Sequence, residues 1–297
     1  MSLKKIIQNI SYKIGCKKNI LIRKRTYARK KEDILKYYSK NIPDDTDLKD
    51  AINYLKRNPL QTFCSDFTKK YQWNKIQVFT DKLKGLPYVL HEDKRLYFIR
   101  SSRERTIQYL YSGLLSEQDQ DSPHCYMSDP FSIQENDVLL DVGSAEGILS
   151  LQYIEKLKQV VLFERDPQWV EALEATFEPW KEKVTIIRKF VSNIDNNENI
   201  TLDHYLADKD FIPSIIKIDV EGAEKQVLEG MSETMKKSHL KIAVCTYHQE
   251  QDFSVLSDLL IQKGFDCQAS KGYMLFLHDL DNLRPPFFRR GLIRATT

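Results

Sequence analysis

From residue 136 onward the chain alternates short apolar runs with segments of helical periodicity. The runs at 138–142, 160–164, 184–190, 215–219, 242–247, 265–269 and 273–277 are bounded by polar turns and most are rich in Val, Ile, Leu and Phe, so each predicts a strand. Repetition of strand, helix and strand implies right-handed crossovers and a mainly parallel sheet with helices on both faces. Only Ser270, Lys271 and Gly272 separate the last two runs, a gap that fits a hairpin and is too short for a crossover. An antiparallel strand is therefore expected to close the sheet. The segment 284–290, Arg-Pro-Pro-Phe-Phe-Arg-Arg, can continue neither a helix nor a central strand and is expected on the surface.

Before residue 136 the pattern differs. Leu3, Ile6, Ile7, Ile10 and Ile14 recur at helical spacing among Lys4, Lys5 and Lys13, which predicts an amphipathic helix ending near Gly15. Residues 45–72 read as helical, with Leu48, Ala51, Ile52 and Leu55 in one stripe. Runs at 76–80, 87–91 and 95–100, separated by turn residues, predict an antiparallel meander. Ser101-Ser-Arg-Glu104 has the form of a capping box opening a helix through Ile107, Leu110, Tyr111 and Leu114. The expected organisation is a helical and meander extension over 1–124, an α/β domain over 125–278 and a tail over 279–297. No internal repeat is present.

A length of 297 residues with 41% hydrophobic and 29% charged residues, and only 10 Gly and 10 Pro, excludes collagen-like, low-complexity and wholly disordered classes. The longest apolar run, five residues at 273–277, is far short of the roughly 20 that span a bilayer. Five cysteines without a C-x-x-C pair suggest neither a zinc cage nor a disulfide framework, and place the chain in the reducing cytoplasm. The net charge is only +3, yet residues 1–40 hold 13 Lys and Arg against Glu32 and Asp33, so the remainder is net acidic. The basic segment reads in three ways: a helix packed on its own domain or on a second copy in an oligomer, a peripheral grip on the inner membrane face or a partner, or a contact to nucleic acid.

The first strand of the α/β region ends in Asp141-Val-Gly-Ser-Ala-Glu-Gly147 and runs directly into a helix. Ligands of parallel sheets sit at the carboxyl ends of strands, where glycines let them approach the backbone. The spacing is neither Gly-x-Gly-x-x-Gly nor a P-loop, so a cofactor without phosphates fits best. The second strand ends at Glu164, the interval at which such folds place an acid that accepts from both ribose hydroxyls. The fourth gives the most specific string, Lys217-Ile-Asp-Val-Glu-Gly-Ala-Glu224, and the fifth ends in Tyr247-His248.

Together these strings resemble the FkbM-type family of S-adenosylmethionine-dependent methyltransferases, over about residues 125–278. The resemblance implies a class I methyltransferase fold, an α/β, Rossmann-like, mostly parallel seven-stranded sheet. It also implies that Asp141 and the turn residues Gly143, Ser144, Glu146 and Gly147 hold the amino-acid end of S-adenosylmethionine. Glu164 would hold the ribose, the end of the third strand with Asn193 the adenine edge, and Asp219 would sit under the methionine end. Asn193 reads equally as a turn former before Asp195. The chain departs from the family at Ser-Ala-Glu between the glycines, where Ala-Asn-x is frequent.

Methyl transfer to a hydroxyl needs an aligned acceptor and a base or metal, since an alcohol keeps its proton at pH 7. The strand-end candidates are Asp219, Glu221, Glu224 and His248. His248 is the expected base, with an ordinary pKa of about 6.5. Glu221 and Glu224, spaced i, i+3, are expected on one helix face near the acceptor, or as acids favoured at a helix start. A divalent metal is compatible with these carboxylates but not demanded. Asp219-Val-Glu-Gly replaces the Asp/Asn-Pro-Pro-Tyr/Phe of base N-methylation, and no Pro-Cys serves C5-methylation. The resemblance thus points to O-methylation of a small-molecule or glycan hydroxyl. The rivals are RNA 2'-O-methylation gripped by the basic segment and a non-catalytic docking scaffold.

Overall fold

The computed structural model describes residues 23–297 apart from 238 and 281. The amphipathic helix read at 3–14 therefore lies outside the described residues. The chain forms two compact units, Met1–Asp66 with Tyr273–Phe288, and Phe67–Gly272 with Arg289–Thr297. These divisions differ from the expected boundaries at 124 and 278.

In the smaller unit, residues 23–40 form helix α1 and Thr46–Arg57 form α2. The Asp45 side chain caps α2 by accepting from the Leu48 amide, and Ala51, Ile52 and Leu55 are its buried stripe. The helix stops well short of residue 72 because Pro59 disfavours helical backbone at Asn58, which is extended. Ile34, Tyr38, Leu55, Leu275, Leu283 and Phe287 share one core. The run at 273–277 and the Phe287-Phe288 pair are thus core of this unit, and neither a sheet-closing strand nor a surface tail. Arg23, Lys24, Arg25, Arg29, Lys36 and Lys40 are exposed.

The larger unit begins with the antiparallel meander β1 (Phe79–Thr80), β2 (Pro87–His91) and β3 (Lys94–Tyr97). Helix α3 (Glu104–Glu117) follows, with Arg103 at its cap and no side-chain bond there, so the expected capping box is not formed. The alternation then runs β4 (Val138–Val142), α4 (Ile148–Gln152), β5 (Gln159–Phe163), α5 (Pro167–Phe177), β6 (Val184–Ile187), α6 (Leu202–Leu206), β7 (Ile215–Ile218), α7 (Glu224–Glu229), β8 (Lys241–Cys245), α8 (Asp252–Gln262), β9 (Asp266–Ala269) and β10 (Leu292–Thr296). Phe190 and Val191, expected to extend β6, pair instead with Asn199 and Ile200.

The sheet order is β9-β10-β8-β7-β4-β5-β6, the class I methyltransferase architecture that the sequence led us to expect. β7 and β5 flank β4 in parallel, whereas β10 is antiparallel to both β8 and β9. The closing strand is therefore 292–296, not 273–277. Successive residues of β4 face opposite cores: Leu139 packs with Leu149, Leu151 and the meander and α3 residues Leu96 and Ile107, while Leu140 and Val142 pack with Val227, Leu228, Leu256 and Leu260. A strand covered on both faces shows no polar alternation, which is why β4, β7 and β8 read as plain apolar runs. The meander and α3 consequently belong to the same core as the sheet. No helix among the described residues is long and apolar enough to cross a membrane.

At the carboxyl ends of β4 and β7 the two backbones approach closely. Gly143 has φ +76°, and a Cβ there would run into the Asp219 carbonyl. Gly113, inside α3, has nothing within 4 Å of a built Cβ. Gly143→Ala should therefore lower stability by at least about 2 kcal/mol, and Gly113→Ala should raise it by about 0.5–1 kcal/mol, both read from urea unfolding midpoints.

Candidate active site

The strand order reverses between β4 and β7, so the crevice beyond their carboxyl ends is the natural ligand site. The Asp141–Gly147 turn enters it with three left-handed residues, Gly143, Ala145 and Gly147. Its amides are largely engaged within the chain. Gly143 and Ser144 donate to the Phe163 carbonyl, Gly147 donates to Ser144, and Ala145 donates to Glu164 Oε2 at 3.0 Å. Ser144 Oγ donates to the Asp141 carbonyl at 2.7 Å. The turn is thus held in shape by its own bonds, and Ser144 serves that shape.

Asp141 is 1% exposed and paired with Lys217, whose Nζ lies 3.1 Å from Asp141 Oδ1 and donates to the Gly143 carbonyl at 2.5 Å. Ser150 donates to Asp141 Oδ2 at 2.7 Å. Burial works against the lysine charge, but Asp141 and Asp219 outweigh it and hold its pKa above the usual range. Asp141 therefore anchors the turn from beneath. Glu164 is better placed for a ligand: each oxygen accepts one amide, from Ala145 and from Asp166 at 2.7 Å, which fixes the carboxylate with lone pairs to spare.

Asp219 follows β7 and is the centre of a polar cluster. Tyr126 donates to its Oδ2 at 2.7 Å and Tyr247 to its Oδ1 at 3.2 Å. His124 Nε2 and His248 Nε2 each lie 3.6 Å from the carboxylate. Burial opposes the charge of Asp219, but the His124 bond and the Lys217 charge prevail and keep it ionised well below the ordinary carboxylate range. His248 Nδ1 is 2.9 Å from Glu224 Oε1, and its Nε2 is 3.6 Å from Glu221 Oε2. Burial disfavours its cation, yet Glu224, Asp219 and Glu221 together raise its pKa above the usual histidine value. Arg289 donates to the Tyr247 and His248 carbonyls at 2.5 and 2.8 Å, which fixes the loop that carries the imidazole.

Glu221 and Glu224 do meet around His248, but not on one helix face. Glu221 lies in the turn before α7 with φ +57° and an 86% exposed side chain. Glu224 begins α7, is 1% exposed, and its Oε1 accepts from the Val220 and Gly222 amides. Glu224 thus orients the ring from behind, and Glu221 reaches it from solvent. Asn193 is not drawn into this cluster: it is exposed and donates to Glu229 at 2.8 Å. Ligand atoms of Asp219, Glu224 and His248 fall within 4.8 Å of one another, as do those of His124, Asp219 and Cys245.

Sequence reasoning did not select His124, Tyr126, Lys217 or Tyr247. Lys217 carried a usable signal, a charge in the middle of a wholly buried apolar strand. His124 and Tyr126 sit in an irregular polar stretch with no periodicity to mark them.

Residues 172–273 match the methyltransferase FkbM domain. Over that stretch the chain is similar to the FkbM methyltransferase domain. The match spans β6 to β9 with Asp219, Glu221, Glu224 and His248, while the glycine turn and Glu164 precede it. No curated protein matches the sequence. Among solved structures, the FkbM methyltransferase of Methylobacillus flagellatus is similar at 15% identity and TM-score 0.44, covering 89% of this chain and 58% of that one. The precorrin-6y C5,15-methyltransferase of Geobacter metallireducens is similar at 15% identity and TM-score 0.39, over 55% of this chain and 82% of that one. An rRNA methylase of Streptococcus thermophilus is similar at 13% and 0.39, over 56% and 89%.

The carboxylates around His248 set its titration. In the imidazole proton resonances, His248 should titrate above 6.5, and Glu224→Gln should move that midpoint down by removing the nearest negative charge.

Proposed function

We propose that this chain is an S-adenosylmethionine-dependent methyltransferase that methylates a hydroxyl oxygen of a sugar or glycan precursor. The observation that carries the reading is the His248 imidazole beside Asp219 at the β4–β7 switch point, oriented by the buried Glu224. The glycan part rests on the family resemblance alone.

The residues fit the cofactor. Glu164 is held by two amides so that its remaining lone pairs face a ribose, and the left-handed turn at Gly143 keeps side chains out of the crevice. When bound, S-adenosylmethionine supplies an electrophilic methyl group. His248 Nε2 takes the proton of the acceptor hydroxyl, and Glu224 at Nδ1 keeps the ring oriented and stabilises the resulting imidazolium. Asp219 adds a second negative charge on the Nε2 side, and Tyr126 and Tyr247 fix its carboxylate. The neighbouring carboxylates raise the His248 pKa, and only its neutral form serves as base.

Calorimetry should show micromolar S-adenosylmethionine binding that Glu164→Ala weakens. His248→Ala and Glu221→Gln should keep that binding while lowering turnover on a hydroxyl acceptor at least tenfold. The wild-type rate should rise with pH along a limb above 6.5, and Glu224→Gln should shift that limb downward. Unchanged turnover in both the His248 and Glu221 variants would remove the base assignment.

A further inference from the structure

The basic stretch near the N-terminus has no part in methyl transfer, and α1 shows how its charges are presented. Turning by roughly 100° per residue, the helix sets Tyr27, Ile34 and Tyr38 on one face, which packs into the core of the smaller unit. Arg25, Arg29, Lys36 and Lys40 fall on the opposite face, within an arc of about 60° and along about 22 Å of helix, and all four are exposed. Lys30 and Lys31, nearer the core, donate to the Leu283 and Asn58 carbonyls at 3.1 and 2.7 Å and so serve the fold. The outer cations are not used in this way. Glu32 and Asp33 stand at the margins of the arc, at i, i+4 spacing from Lys36 and Arg29. Even so, none of the four side chains is held in an ion pair or hydrogen bond among the described residues. We infer that this cationic line is a docking surface for the anionic headgroups of a lipid bilayer.

A bilayer fits the line better than other partners do. Single-stranded nucleic acid is gripped through aromatic faces as well as through charge, and the tyrosines interleaved with these cations are turned away from them. Tyr37 meets Phe287 edge-on at 5.6 Å, and Tyr38 is buried and donates to the Pro286 carbonyl. A protein interface is built around an apolar or aromatic centre, which this line lacks. A second copy seated face to face would set the same charges against one another. A membrane surface asks only for positive charge along one side, and each Lys or Arg near an anionic leaflet strengthens adsorption about fivefold. Just past the line Ile42 is 78% exposed, an apolar side chain suited to the headgroup boundary.

The test is flotation of the whole chain with vesicles of phosphatidylcholine alone and of phosphatidylcholine mixed with phosphatidylglycerol. The protein should float with the anionic vesicles only, and raised salt should release it, since exposed charges are screened beyond about 10 Å at 0.1 M salt. Combining Arg25→Gln, Arg29→Gln, Lys36→Gln and Lys40→Gln should weaken that binding at least about a hundredfold. The thermal midpoint should stay unchanged, because none of the four packs in the core. Failure of the wild type to float at low salt overturns membrane docking. Binding that the fourfold variant retains puts the grip elsewhere in the chain and overturns the assignment to α1. If an RNA oligonucleotide binds the wild type more tightly than the anionic vesicles do, and the fourfold variant loses it, α1 is a nucleic-acid surface and membrane docking falls. Should that variant not fold, the pairs Arg25→Gln with Arg29→Gln, and Lys36→Gln with Lys40→Gln, decide in its place, each expected to weaken binding at least about tenfold.

Discussion

The buried ion pair of Lys217 and Asp141 is the constraint on which the rest of the site depends. It joins β4 to β7 where the strand order reverses, and the same ammonium holds the Gly143 carbonyl, so the turn has one available position. Removing a single partner from such a pair leaves an uncompensated charge in a dry interior, typically at a loss of about 3–5 kcal/mol. Two residues after Lys217, the chain emerges at Asp219. The geometry of the polar cluster around Asp219 is therefore inherited from a contact made beneath it.

Around Asp219 the protein balances opposing demands on one carboxylate. Its desolvation favours the neutral acid, and the two histidines, two tyrosine hydroxyls and Lys217 reverse that preference. A fixed negative charge then faces two imidazoles whose burial alone would keep them neutral. Each group in the cluster is ionisable because another is, which makes its electrostatics collective and sensitive to any single substitution.

The sheet was legible in the sequence where strands are covered on both faces, because continuous burial writes a continuous apolar run. β4, β5, β7 and β8 were read on that ground, whereas β9 is mostly exposed and owes its reading to its place between turns. β10 was not, since the Pro-Pro-Phe-Phe stretch before it hid a five-residue strand whose partners lie more than twenty residues away in sequence. The run at 273–277 had the right composition and the wrong destination: apolar character reports burial, not the core in which it occurs. At the site, motif spacing located Asp141, Glu164, Asp219 and His248. It could not assign Asp141 and Ser144 to holding the turn or turn Asn193 outward, because those outcomes depend on hydrogen-bond partners distant in the chain.

The insertion of β10 between β8 and β9 also orders the molecule in time. In the sheet, β9 has β10 as its one neighbour, and β10 is the last of these strands to be made. Until it arrives, β8 presents an unpaired edge and β9 has nothing to join, so that flank waits on a ladder of high contact order. The loop bearing His248 leaves β8 at this same flank, and Arg289, just ahead of β10, clamps its carbonyls. A chain still lacking β10 would hold the Asp141–Gly147 turn without a settled His248, and the crevice would take its full shape only when the last of these strands pairs.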